Sequence, residues 1–204
     1  YLDWGLYPGK DWIRDQGNGG PYAPKKNVYY KSQQGKLTDG TNWTSGLTQT
    51  NYHLMRFADV LLMAAEAEVE AGSLEKARQY VNLIRTRANA LHVKDANGND
   101  AAKYVISNYP TAWTDKTVAR TAVRFERKLE LAMEGHRFFD LVRWGIADQA
   151  INAFLAYEKT KIPAGYGNAT FVKGKHEYYP IPQRQIDLSV SGGSSSLTQN
   201  PGYQ

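Results

Sequence analysis

The spacing of apolar residues changes character near position 51. Before it, apolar positions follow no helical period. Gly5, Pro8, Gly9, Gly17, Gly19, Gly20, Pro21, Pro24, Gly35, Gly40 and Gly46 break the chain repeatedly. One short strand is predicted over Asn27–Lys31. From position 51 to 91, Leu54, Phe57, Ala58, Leu61, Leu62, Ala65 and Val69 recur at three- and four-residue steps. That is the stripe of an amphipathic helix. Gly72 suits a left-handed stop and Ser73 the next N-cap, with Glu75 in the first turn. The second helix then buries Leu74, Ala77, Val81, Ile84 and Ala88. So short a turn makes the two helices antiparallel. Ala64, Ala65, Ala67, Ala71 and Ala77 allow close approach.

This pair reads as one tetratricopeptide-type unit, which needs neighbours to bury both faces. Residues 92–117 read as an insertion or long loop, with turns at Asp95–Asp100 and Asn108–Pro110. A third helix is expected from Asp115 or Thr117 through Glu134, interrupted by Gly135. His136–Trp144 continues helically to a stop at Gly145, and Asp148–Tyr157 offers Ile151, Phe154 and Leu155. After Lys161 the sequence is loop-rich, with a short strand or polyproline segment at Glu177–Ile181 and a flexible Ser191–Ser196. The expectation is a mainly α fold of tetratricopeptide-like helix pairs, long loop-rich segments and a few short strands. Its single domain divides into a loop-rich 1–50, a helical hairpin 51–91, helices over 115–157 and a loop-rich tail 158–204.

Composition sharpens this. The 204 residues include no cysteine, which excludes disulfides and thiol nucleophiles. No apolar run approaches the ~20 residues of a spanning helix. Tyr1 is not an initiator Met, so the sequence reads as an excised piece or a processed form, with any targeting signal upstream. The net charge of +5 is spread among alternating signs. That argues against a nucleic-acid stripe.

Aromatic residues make 12% of the sequence and fall into two groups. Nine precede His53, all Trp or Tyr. Phe is concentrated in the helical half, where a ring without a polar tip suits a dry core. Trp12, Tyr22 and Trp43 stand among Arg14, Asp15 and Asn42. Sugar rings offer apolar faces and a rim of hydroxyls. Aromatic faces pack on the first, and Asn, Asp and Arg bond the second. These six residues are the candidate ligand contacts. The opposing reading packs most of these rings beneath the loops. A glycosidase would instead draw a carboxylate pair from Asp3, Asp11, Asp15 and Asp39. A third reading uses the helix pair as a protein-interaction scaffold. Glu126, Glu130 and Glu134 share one helix face near His136, but the spacing does not make a di-metal site. Arg120, Arg124, Arg127, Lys128 and Arg137 are close enough in sequence to pair with them. No phosphate loop or nucleophile elbow appears, and no cofactor is expected.

Five stretches together resemble one known family. They are Tyr52–Ala67 with Ile84–Ala88, Phe125–Trp144 (FERKLELAMEGHRFFDLVRW), Tyr179–Gln183 (YPIPQ) and Gln199–Tyr203 (QNPGY). The sequence from Tyr52 onward resembles the C-terminal half of the SusD/RagB family. The resemblance implies a lipid-anchored protein of the bacterial outer-membrane surface. Such proteins bind glycans or other nutrients, without catalysis, over a SusC-like TonB-dependent transporter. It also implies that the lipid-anchor cysteine, signal peptide and earlier helix pairs lie upstream. Arg56, Asp59, Glu66, Arg85, Glu126, Glu130, His136, Arg137, Asp140 and Arg143 match the family pattern. They are expected to form a buried or half-buried network holding helices in register.

Overall fold

A computed structural model of the protein describes residues 51–95 and 97–203, with residues 24, 26, 31–33, 35–38 and 48–49. The described part is mainly helical and divides into two compact units, residues 1–133 and 134–204.

The first unit is built on three helices: α1 (Phe57–Ala71), α2 (Leu74–Asn89) and α3 (Lys116–Glu130). α1 begins three residues after Leu54, which is exposed. Arg56 stays extended and reaches Glu130, so the helix starts only behind it. Gly72 ends α1, but not in the left-handed conformation: its φ is −135° and ψ −131°. The Glu68 carboxylate folds over Gly72 to accept the Ser73 N–H at 2.7 Å, so a side chain at position 72 would have to displace it. Ser73 caps α2 by accepting from Lys76 N.

Ion pairs fix the helix directions. Asp59 near the start of α1 meets Arg127 near the end of α3, while Glu70 meets Lys116 and Arg120 at the start of α3. α1 and α3 are therefore antiparallel. Arg85 and Arg87 of α2 meet Glu126 and Glu130 in the same order along α3, so α2 and α3 are parallel. Between them lie Ala58, Leu62, Ala65, Val69, Ala77, Val81, Ile84, Ala119, Ala122, Val123 and Leu131. Fully burying Leu62 or Val81 contributes about 1.5–3 kcal/mol each.

The core is aliphatic and small, and here the rings depart from expectation. Phe57, Phe125, Phe139 and Phe154 are 74%, 49%, 70% and 52% exposed; only Phe171 is buried among the Phe residues. Ala65, Ala77 and Ala119 sit at 0% exposure, so these close-packed positions leave no room for a phenyl ring between the helices. Trp113 joins this core instead, edge-on to Tyr109.

The segment before α3 is thus more than an inserted loop. Asn82 holds Tyr109 through both backbone groups, at 3.0 and 2.8 Å, and Arg78 and Arg85 donate to the carbonyls of Tyr109 and Ser107. Asp115 caps α3 by accepting from Val118 N. α3 ends at Glu130, short of Gly135, because the Glu130 carbonyl accepts from Arg56 and Lys26 and Met133 turns to φ 65°. Cations there complement the helix C-terminus. Lys31, the last residue of the strand expected over 27–31, opens a short 3-10 helix, Lys31–Gln33; the rest of that expectation lies outside the described residues. A single backbone bridge joins Thr38 and Thr48.

The second unit contains α4 (His136–Arg143), α5 (Ala147–Lys159), the short α6 (Pro163–Tyr166) and α7 (Gln183–Leu188). Gly145, at φ 68°, makes the turn between α4 and α5 as the sequence suggests. Leu141, Ala147 and Phe171 are its buried apolar residues, flanked by Phe138, Val142, Trp144, Ile146, Ala150 and Ile151. Asn152 grips Phe171 by accepting its N–H and donating to its carbonyl, at 2.8 and 2.9 Å.

Within the tail, β1 (Val190–Ser191) pairs antiparallel with β2 (Ser194–Ser195) across Gly192-Gly193, a hairpin the sequence reading did not include. Both glycines have positive φ, 60° and 82°, as a type I′ hairpin turn requires. Glu177–Ile181 forms no strand; Gln199 accepts the Ile181 N–H and donates to the Ile181 carbonyl, and Asn200 donates to the Tyr179 carbonyl.

Candidate functional site

Trp12, Arg14, Asp15, Tyr22, Asn42 and Trp43, the candidate ligand contacts, lie outside the described residues. So do Asp3, Asp11 and Asp39, the remaining members of the alternative carboxylate set. Among the described residues, the motif-bearing side chains gather around α3.

Arg127 of α3 donates to Asp59 of α1 at 2.9 Å, and both are almost fully buried. Arg85 donates to Glu126 at 2.7 Å. Glu130 is shared, with Arg56 on one carboxylate oxygen at 2.9 Å and Arg87 on the other at 2.6 Å. The pairing is therefore between helices. The expectation that α3 acids pair with α3 bases fails for Glu126 and Glu130. Helical neighbours three or four apart stay on one helix face, while these carboxylates point toward α1 and α2.

This arrangement holds helices in register, as the resemblance implies for Arg56, Asp59, Arg85, Glu126 and Glu130. In the second unit, Asp140 pairs with Arg143 within α4, and Arg137 and Arg143 lie over the Trp144 ring.

The electrostatics agree with a structural role. Burial pushes the Glu126 carboxyl above its ordinary range, against the hydrogen bond from Arg85, and neighbouring Glu130 pushes the same way as burial. A raised carboxyl in a cleft would suggest an acid catalyst. Glu126 instead faces a helix interface and is held by a guanidinium. Exposed Glu70 is the opposite case: Arg120 and Lys116 hold it down at about 2.

Among the described residues, no cluster of three or more His, Asp or Glu could hold a metal. No described helix is long and apolar enough to cross a membrane. One open groove of about 340 Å³ lies along α3, lined by Tyr109, Thr117, Val118, Thr121, Ala122 and Phe125. Its walls are mostly apolar, with no carboxylate, imidazole or amine to direct chemistry. The groove was not anticipated from the sequence. The signal available was Val118, Ala122, Phe125 and Leu129, an apolar stripe on α3.

Comparison with known proteins meets the same helices. The SusD family model matches residues 6–203. SusD-like protein P25 of Formosa agariphila is 32% identical over 154 residues, covering 76% of this sequence and 25% of the relative. SusD-like protein P2 of the same organism is 29% identical over 166 residues, covering 76% and 26%. The protein described here thus spans about a quarter of the length of these relatives. A crystal structure of a SusD homolog from Bacteroides thetaiotaomicron superposes with a TM-score of 0.51 at 29% identity, over 81% of this protein and 31% of that one. Sequence motifs, helical architecture and a match running through both units converge: the chain belongs to the SusD family.

Proposed function

We propose that this chain is part of a non-catalytic, outer-membrane-associated surface protein that captures glycan or another nutrient for a SusC-like TonB-dependent transporter. The observation that supports the reading is the SusD family match over residues 6–203. Trp12, Tyr22 and Trp43 supply the stacking faces, and Arg14, Asp15 and Asn42 bond the hydroxyl rim. Both units serve as one domain. Attachment to the membrane is through a lipid anchor in the longer parent.

The binding reading is supported over hydrolysis by the family membership. Asp59, Glu126, Glu130 and Asp140 are each bound to a guanidinium, which suits a fixed scaffold. The test is affinity electrophoresis of the wild type, Trp12→Ala and Trp43→Ala on a panel of polysaccharides. The wild type should be retarded by at least one glycan, and each variant should lose most of that retardation while keeping its helical circular dichroism. Retardation unchanged in both variants would remove these residues from the site. Sugar release by the wild type would overturn the non-catalytic reading.

A further inference from the structure

α3 ends at Glu130, and the last carbonyls of a helix lack partners within it. Side chains from far away in sequence take them here. Lys26 Nζ donates to the carbonyls of Glu130 and Ala132, the second at 3.0 Å, and Arg56 donates to the Glu130 carbonyl at 3.0 Å. Arg56 is already placed by its ion pair with the Glu130 carboxylate. Lys26 comes from the loop-rich region, 104 residues before Glu130. An ammonium suits the position. It is compact, its three donors can serve two carbonyls at once, and its charge complements the negative end of the helix.

Tyr22, a candidate ligand contact, precedes Lys26 by four residues. Four residues span at most about 14 Å of extended chain. Pro24 stands between the two, half-buried, with φ fixed by its ring. Fixing Lys26 therefore restricts where Tyr22 can go. Asn42 and Trp43 have a different tether. In sequence they fall between Thr38 and Thr48, which form a backbone bridge, and Gln49 N donates to Leu37 O at 3.1 Å.

We propose that Lys26 is the positioning residue for Tyr22, its ammonium pinning the segment behind that ring to the C-terminal end of α3. The role rests on the glycan-binding reading above, in which Tyr22 supplies a stacking face. A ring restricted before the ligand arrives loses less freedom on binding, so the tie raises affinity through Tyr22 rather than through a contact of its own. Lys26 is exposed, so the effect is modest and screened by salt.

The experiment uses the full chain and Lys26→Met, which keeps the apolar stem and removes the charge and donors. Lys26→Arg is the conservative variant. Tyr22→Ala and Trp43→Phe are made singly and together with Lys26→Met. Dissociation constants come from affinity electrophoresis on the glycan that retards the wild type most. Lys26→Met should weaken binding about fivefold, and Lys26→Arg should keep most of the affinity. Lys26→Met should add nothing in the Tyr22→Ala background, yet keep its roughly fivefold effect in the Trp43→Phe background, because coupled residues are non-additive and separate ones add.

Hydrogen exchange without glycan gives an independent readout. Peptides covering residues 20–28 should exchange faster in Lys26→Met, while α1 and α2 stay unchanged. Equal weakening in both backgrounds would mark general damage and overturn the proposal, as would no weakening in either. Unchanged exchange would overturn the tie itself. A wild type retarded by no glycan would overturn the binding reading and the role of Lys26 with it, and the exchange result separates that failure from a missing tie.

Discussion

The two units are stabilised by different kinds of contact. The first joins residues far apart in sequence: Asp59 with Arg127, Arg56 with Glu130, Arg85 with Glu126. Its core runs continuously through three helices. Among the contacts described in the second, Asp140 meets Arg143, Asn152 holds Phe171 and Gln199 holds Ile181, each nearer in sequence than the first unit's ion pairs. The second unit's buried apolar residues are Leu141, Ala147 and Phe171. The first unit is specified by charge matching between helices, the second by turns and side chains that grip backbone. A single broken ion pair should therefore be felt across the first unit, while a broken clamp in the second should be felt mainly nearby.

The largest effect should come from the buried pair. Arg127→Ala leaves the Asp59 carboxylate uncompensated among buried neighbours, at a cost of about 3–5 kcal/mol. Urea unfolding followed on the helices should show that loss. Replacing both partners, Asp59→Leu with Arg127→Met, should recover most of it. If the double variant is no better than the single one, the pair is more than a matched charge and the comparison needs revision.

A smaller loss is expected from Asn152→Ala. It orphans the backbone N–H and carbonyl of Phe171, a cost of about 1–3 kcal/mol. Hydrogen exchange should accelerate around residues 147–171 and remain unchanged in α1 and α2. Faster exchange throughout both units would break the distinction between local and long-range stabilisation.

The smallest effect is electrostatic and exposed. Glu70 is lowered from 4.5 to about 2 by Arg120 and Lys116. A depressed folded-state value contributes stability above the unfolded value, and that contribution is lost as pH falls from about 4.5 toward 2. Carboxyl resonances should show Glu70 titrating below the other exposed glutamates. Arg120→Gln should move it back up, since Arg120 is the largest cause. Screening by salt should reduce the shift, as suits a surface pair.

How much of this could be read beforehand follows the same division. The α1–α2 hairpin, the Ser73 cap and the Gly145 stop were legible, because each depends on residues within one or two turns; the sequence offered Asp115 or Thr117 as the cap of α3, and the structure uses Asp115. The family motif in Phe125–Trp144 signalled the network's membership. Its wiring was not legible: sequence neighbours on α3 look like natural partners for Glu126 and Glu130, yet the carboxylates turn toward other helices. The Phe residues misled for a related reason. Hydrophobicity alone marks a ring for burial, but the alanine-lined crossings close too tightly to admit one, and Trp113, from a segment that reads as loop, fills in.

By itself, the sequence determined the helix boundaries set by local caps, the mainly helical class and the family, since periodicity and motif are local properties. The tertiary structure decided which guanidinium meets which carboxylate, that the Glu68 carboxylate folds over Gly72 and that Ser191–Ser196 is a hairpin. Those depend on the approach of groups in three dimensions. Side-chain direction, available space and pairing across a turn exist only once the elements have packed.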